Sequence, residues 1–334
     1  MRVFVTGATG LVGSHVAAQL VARGDAVRVL VRARTARSVP VVPGAEVVVG
    51  DALEPEEVLA ARLAGCDAVV HAAALVFRRG GWDVYRRANV EATERVLAAA
   101  ARAGAARVVH VSSVAVYGGS GEEARLVEEE WLDRPIPEWN VYARSKREAE
   151  QAAWRAHEAG AVRVTTVRPA VIYGERDRHF TPWLARFARL PVVPLPGGGR
   201  ANVPVVYAGN VARGIIAALD REAVVGRAYN LGMDLPVTAR ELVGGFARAL
   251  GRSPRLAAVP AAPLAAVAGA VDLLLEALPW VNPPGLRRAF GYAVRGNPYD
   301  STRARRELQW TELVDHAEAL ARTAAWWRQR GPAS

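Results

Sequence analysis

Six short runs dominated by valine, at 3–6, 26–31, 46–49, 68–71, 107–111 and 163–167, punctuate the first half of the chain. Their continuous apolar character predicts strands buried on both faces, as in a parallel sheet. Helical patterns begin between them, near Leu11, Pro55, Trp82 and Asn140. Strand and helix therefore alternate, which predicts an α/β chain whose parallel sheet is covered by helices on both sides. Beyond Gly174 the rhythm loosens, and Pro191, Pro194, Pro196 and the run Gly197-Gly198-Gly199 predict loops. A strand and a helix return across 203–219. The remainder reads as helical segments and loops. The expected layout is a sheet domain over 1–174, with 203–230 returning to it, and a smaller, mostly helical C-terminal lobe built from 175–202 and 231–334.

One stretch of the lobe, 256–280, is strongly apolar but interrupted by Pro260, Pro263, Asp272 and Glu276. A membrane-spanning helix needs about 20 largely uninterrupted apolar residues. A buried helix, or an apolar lid over a site, is the expectation, and no membrane span. The 51% hydrophobic residues of the 334-residue chain allow a substantial core. Its formal charge of +10 comes from arginines scattered among 33 acidic residues. There is no basic stripe and no interleaved aromatic motif, so no nucleic-acid partner is expected. The single cysteine, Cys66, excludes an internal disulfide and supplies no metal cluster, and no metal site is expected. Residues 2–6 already read as strand, leaving no room for a signal peptide; a cytoplasmic protein is expected.

The first strand runs into Thr6-Gly7-Ala8-Thr9-Gly10-Leu11-Val12-Gly13 and then directly into a helix. Glycines there permit a tight turn and close backbone approach, and a helix start offers unpaired N–H groups to an anion. This is the arrangement for a dinucleotide pyrophosphate on a Rossmann-type doubly wound sheet, with Gly7, Thr9, Gly10, Leu11 and Val12 around it. About 20 residues further on, an acidic residue would accept from a free ribose 2′-hydroxyl, whereas an arginine would pair with a 2′-phosphate. The chain has Arg32, followed by Arg34 and Arg37, which points to NADP over NAD. Asp51, just before Ala52, is placed to accept from the adenine amino group.

Of the 43 lysine and arginine residues only Lys146 is lysine, and it stands four residues after Tyr142. On a helix that spacing puts phenol and ammonium on one face. Arginine is a wide planar fork; lysine is a compact charge on a flexible stem, able to fit under a small ring. A nearby cation favours a phenolate, so the pair is a candidate for proton transfer at neutral pH.

These motifs, taken together, resemble the extended short-chain dehydrogenase/reductase family, also called the NAD-dependent epimerase/dehydratase family. The resemblance rests on the glycine turn, Gly50-Asp51, His71-Ala72-Ala73-Ala74, Asn89-Val90-Glu91-Ala92-Thr93, and Val111-Ser112-Ser113-Val114-Ala115-Val116-Tyr117-Gly118. It rests also on Tyr142 to Lys146 and on Arg168-Pro169 to Tyr173-Gly174. It reaches Asp300 to Trp310, where Arg303 replaces the family's lysine and Gln309 its glycine.

The resemblance implies Tyr142 as acid/base, Lys146 as holder of the nicotinamide ribose and modulator that lowers the tyrosine pKa, and Ser113 as hydrogen-bond partner of the substrate oxygen. It implies that Ala72, Ala73 and Ala74 pass beneath the ribose, that Pro169 to Ile172 line the nicotinamide amide, and that Asn89 positions backbone or water near the lysine. Helices over 82–102 and 140–157 resemble those that pair relatives into homodimers.

The same site supports alcohol oxidation, epimerisation or dehydration. Nucleotide-sugar relatives carry an arginine where this chain has Val203-Pro204, and the lobe is apolar, as in the hydroxysteroid-dehydrogenase and dihydroflavonol-reductase branches. The expectation is therefore an NADP-dependent oxidoreductase for a bulky, largely apolar alcohol or ketone. The alternative is a sugar or nucleotide-sugar epimerase or dehydratase, gripping its diphosphate through Arg78, Arg79 or Arg200. A nonenzymatic NADP sensor is a third reading, for which a proton donor would be superfluous.

Overall fold

The computed structural model describes residues 1–36, 42–76, 80–118, 135–276 and 286–330. Arg37, Arg78, Arg79 and the end of the apolar stretch at 277–280 lie outside them. Seven strands, β1 (Arg2–Thr6), β2 (Ala26–Val31), β3 (Glu46–Val49), β4 (Ala68–His71), β5 (Arg107–Val111), β6 (Arg163–Pro169) and, much later, β10 (Ala228–Leu231), form one parallel sheet. Its order is β10-β6-β5-β4-β1-β2-β3, so the direction of winding reverses between β1 and β4. In such sheets ligands bind outside the carboxyl ends of the strands at that reversal.

The helices are α1 (Leu11–Arg23), α2 (Ala33–Ala36), α3 (Glu56–Leu63), α4 (Trp82–Tyr85), α5 (Ala92–Arg102), α6 (Val141–Glu158), α7 (Phe180–Phe187) and α8 (Ala208–Asp220). They continue with α9 (Ala239–Ala249), α10 (Ala261–Glu276), α11 (Leu286–Arg295), α12 (Thr302–Glu307) and α13 (His316–Arg330).

Successive residues of a strand face opposite sides, and the core follows that period. Val3, Val5 and Val29 pack with Val16 and Leu20 of α1 and Val211 and Ile215 of α8. On the other face Phe4, Val69 and Val108 pack with Leu59, Leu63 and Val96 of α3 and α5. Ala304, Leu308 and Trp310, from near the C terminus, are buried in the first of these cores, and the Trp310 indole N–H donates to the Asn210 carbonyl at 2.8 Å.

The other core lies in the lobe. Two short parallel pairs line it, β7 (Val171–Tyr173) with β9 (Val205–Tyr207) and β8 (Val192–Pro196) with β11 (Arg255–Val259), packed with α7, α9 and α13. Val205 and Tyr207 face this core while Val206 faces the sheet core, so β9 is shared between the two.

Three expectations are corrected here, and a fourth is met with a local departure. The proline-rich segment predicted as loop is strand β8, in register Pro194 with Ala257 and Pro196 with Val259. A two-stranded ladder leaves each strand one edge facing away from its partner, where a missing N–H costs no bond. β3, expected to be covered on both faces, is a sheet edge with Val47 and Val49 more than 40% exposed. The helix expected from Trp82 passes through a π-helical turn at Arg86–Glu91 between α4 and α5. Finally, α10 is no buried helix, since Val267, Leu273 and Leu274 are at least 60% exposed. No helix among the described residues is long and apolar enough to cross a membrane.

Two histidines stack in the middle of the sheet, His71 on β4 and His110 on β5, ring centroids 5.8 Å apart. The Ala73 N–H donates to the Thr6 hydroxyl (3.2 Å), which lies 2.8 Å from His71 Nδ1. His71 Nε2 lies 3.0 Å from the Thr93 hydroxyl, which donates to the Asn89 carbonyl (2.6 Å). Because the Thr93 hydroxyl is already a donor, Nε2 carries a proton, and in the neutral ring Nδ1 is the acceptor for the Thr6 hydroxyl. Burial, with the Lys146 charge nearby, brings the His71 pKa down to about 3 and holds His110 well below its ordinary value.

Both folded-state values lie below the unfolded value of 6.5. The stability these rings contribute as neutral groups is therefore complete above about pH 6.5 and is lost as pH falls from there. Each should cost about 1.4 kcal/mol per pH unit on the acid side. Urea unfolding between pH 8 and 5 should show the decline, and His110→Phe should make it shallower. Equal slopes in the two proteins would contradict this reading of His110.

Candidate active site

The register brings the ends of the central strands level, with Thr6 opposite His71, His71 opposite His110, and Val111 opposite Val167. Each strand then releases its site residues from the same edge: Gly7 after β1, Arg32 after β2, Gly50 and Asp51 after β3, Ala72 after β4, Ser112 and Ser113 after β5. Five separate stretches of sequence thus meet along one crevice.

At the glycine turn, Gly7 has φ +74°, and a Cβ there would lie 2.7 Å from the backbone of Ala72 and Ala73. A Cβ on Gly13 would lie 2.4 Å from the Gly7 carbonyl oxygen. Both positions demand glycine, so the loop after β1, the start of α1 and the loop after β4 close on one another. Gly10 caps α1 without any side-chain hydrogen bond, and the first turn of the helix holds no acidic residue. Its N–H groups and dipole are left for an anion, with Thr9, Leu11 and Val12 around them. This cradle fits a dinucleotide.

The Arg32 guanidinium is exposed and has no partner among the described residues. Asp51 accepts from the Leu53 N–H through one oxygen (3.0 Å), beside Ala52, in a turn that holds its carboxylate at the strand end. Asn89, inside the π-helical turn, receives the Leu75 N–H (2.6 Å) and donates to the Leu75 carbonyl (3.2 Å) and the Ser145 hydroxyl (2.9 Å). It therefore shapes the backbone just beyond Ala72, Ala73 and Ala74 and ties it to α6. Pro169 is buried at the end of β6, and Ile172 on β7 packs against the sheet core.

Asn140 caps α6, its side chain accepting from the Ala143 N–H at 3.2 Å. The helix then carries Tyr142 and Lys146 on one face. Lys146 is 3% exposed and its Nζ donates to the Val111 carbonyl at 2.7 Å. Burial lowers its pKa to about 8, against the opposing pull of Glu150.

The expected lowering of the Tyr142 pKa is not what this arrangement produces. Burial raises it; the neighbouring Ser113 hydroxyl acts in the lowering direction, and Tyr85 adds to the rise. Tyr85 meets the Tyr142 ring edge-on, with centroids 6.4 Å apart. The ammonium is turned to the Val111 carbonyl instead. What the site holds is a protonated phenol beside a serine hydroxyl, with an ammonium one turn below: a proton donor with a cation in reserve.

Sequence reasoning gave no role to the group directly behind these residues. Glu150 and Arg168, each 1% exposed, form an ion pair, Arg168 reaching the carboxylate through Nη2 (2.5 Å) and Nε (3.1 and 3.2 Å). The available signal was the spacing, since Glu150 continues the Tyr142 and Lys146 face by one further turn.

A family model described as the NAD dependent epimerase/dehydratase family matches residues 3–232. The chain belongs to that family. It is an NAD(P)-dependent enzyme. Over its whole length it is 35% identical to a 4-hydroxy-2-methyl-3-oxo-4-farnesyl-3,4-dihydroquinoline-1-oxide ketoreductase of Stigmatella aurantiaca, covering 97% of that protein. Over 77% of each chain it is 32% identical to a 2-alkyl-3-oxoalkanoate reductase of Stenotrophomonas maltophilia (strain K279a). Among solved structures it is similar to MoeE5 in complex with UDP-glucuronic acid and NAD, with 26% identity, a TM-score of 0.71 and coverage of 99% and 100% of the two chains.

Proposed function

We propose that the protein transfers hydride between NADP(H) and the carbinol or carbonyl carbon of a bulky, largely apolar substrate. The carrying observation is the Tyr142–Ser113 pair set above buried Lys146 at the carboxyl edge of the sheet. Bound NADPH supplies the hydride. Tyr142 gives the proton that the substrate oxygen takes up on reduction, and receives it in the reverse direction. Ser113 holds that oxygen by hydrogen bonding. Lys146, released from the Val111 carbonyl, serves the nicotinamide ribose hydroxyls and steadies the phenolate left after proton transfer. Gly7, Thr9, Gly10, Leu11 and Val12 hold the pyrophosphate, Arg32 the 2′-phosphate, and Asp51 with Ala52 the adenine. Ala72, Ala73, Ala74 and Asn89 underlie the ribose, and Pro169 and Ile172 border the nicotinamide.

The substrate class is supported by the lobe and by the relatives. Val203 and Pro204 offer no charge to a diphosphate, Arg200 is exposed at the end of the glycine run, and α10 adds exposed leucines and a valine to the lobe. The two reductases named above act on oxo compounds with alkyl or farnesyl groups, as their names state. The lobe over 175–202 and 231–334 is the substrate part of this proposal. Pairing of two copies through α5 and α6, and a cytoplasmic location, belong to the same reading.

NADPH oxidation should be supported by alkyl or prenyl ketones and not by UDP-sugars. Tyr142→Phe should keep cofactor affinity and lose about 100-fold or more in turnover. Turnover of UDP-sugars alone would favour the epimerase reading, and full activity in Tyr142→Phe would remove the mechanism.

Titration of both cofactors should show tighter binding of NADPH than NADH. Arg32→Ala should weaken NADPH about tenfold and leave NADH unchanged, because only the 2′-phosphate bond is lost. An undiminished preference in the variant would remove Arg32 from the account.

A further inference from the structure

The ion pair behind the proposed site reaches each element that carries one of its reacting groups. The Ser112 hydroxyl donates to Glu150 Oε2 at 2.5 Å, and Ser112 lies between Val111, whose carbonyl holds Lys146, and Ser113. The Trp154 indole N–H donates to Glu150 Oε1 at 3.2 Å. From β6, Arg168 completes the pair, and its Nη1 donates to the Tyr117 hydroxyl at 2.9 Å. That hydroxyl donates onward to Asn230 Oδ1 of β10 at 2.7 Å. Arg168 also immediately precedes Pro169. One buried carboxylate thus connects the end of β5, the turn carrying Tyr117, the catalytic face of α6 and the end of β6.

We propose that Glu150 is a positioning residue for the reaction. Braced by Arg168, it fixes Ser112 and thereby Ser113, and it sets a negative charge one helical turn below Lys146 so that the lysine stays an ammonium. The assignment rests on the hydride-transfer reading and deepens it. A buried ion pair is weak evidence of stabilisation, since well-packed apolar residues often do as well in its place. Its bonding to Ser112 and its spacing from Lys146 give it a reason to be ionic.

Among the described residues, the other groups facing Lys146 supply no negative charge. His71 on β4 and His110 on β5 are buried and neutral, and Tyr142 above it is a protonated phenol beside Ser113 and flanked by Tyr85 of α4. Arg168 on β6 is paired with Glu150. Burial alone would raise the Glu150 pKa, and Arg168, Ser112 and Trp154 bring it below its ordinary value. Glu150 is therefore a carboxylate throughout the range in which Lys146 titrates.

The composition of the chain makes this directly measurable. With one lysine, an untagged protein labelled with ζ-15N lysine gives one side-chain resonance, and its titration is that of Lys146. The wild-type midpoint should fall near 8. In Glu150→Gln it should fall by about one unit, because the favouring charge is gone while the burial remains. The same fall should occur in Glu150→Gln combined with Arg168→Met, which leaves no unpaired buried charge and guards against a single variant that does not fold.

NADPH affinity, measured by fluorescence across pH, should lose its alkaline limb at correspondingly lower pH in either variant. A Lys146 midpoint unchanged in a folded variant would overturn the role of Glu150, whatever the activity. A lowered midpoint with NADPH affinity unaltered at every pH would leave Glu150 in place and overturn the role given to Lys146 at the cofactor.

Discussion

An ammonium taken out of water loses several kcal/mol of hydration unless the protein returns it as hydrogen bonds and opposite charge. Lys146 is held by the Val111 carbonyl at 2.7 Å and by a carboxylate one helical turn away. Each of those partners is fixed in turn. The carbonyl ends a central strand whose register is set by neighbours on both sides, and the carboxylate is locked between a guanidinium and the Ser112 hydroxyl. The reacting edge of the sheet is organised around accommodating that one charge, and the geometry of Ser113 and Tyr142 follows from it.

The sheet supplies the rest through parallel register. Because the central strands end level, the residues following them gather without any long loop having to place them. The reversal of winding between β1 and β4 opens the crevice where a glycine turn and an uncapped helix start face a run of small alanines. Size exclusion does the remaining work, since a single methyl group at Gly7 or Gly13 would collide with backbone. The lobe is joined to this frame through β9, whose alternate residues enter the two cores.

The sheet was legible because a strand buried on both faces leaves little choice but valine-rich runs, and six such runs coincide with β1 to β6 to within two residues. The glycine turn was legible because backbone contact requires glycine, and Lys146 because arginine fills every other basic position. What escaped depends on partners distant in sequence. β8 and β11 are recognisable only from each other, and the prolines of β8 disguise it. The exposure of Val47 and Val49 depends on β3 being last in the sheet. Burial of the Tyr142 phenol outweighs a cation whose direction is set by the Val111 carbonyl, which no spacing along α6 reveals. Glu150 lay in view at the right interval, but its partner is 18 residues away on another element.

In the proposed reaction Lys146 exchanges one acceptor for another, leaving the end of β5 for the nicotinamide ribose while Tyr142 stays beside Ser113. A crystal structure of the protein with NADPH tests this most directly. The predicted result is Nζ within hydrogen-bonding distance of the ribose hydroxyls, with the nicotinamide C4 facing the space beside Tyr142 and Ser113. A nicotinamide directed away from Tyr142, with Nζ still bonded only to the Val111 carbonyl, would contradict it.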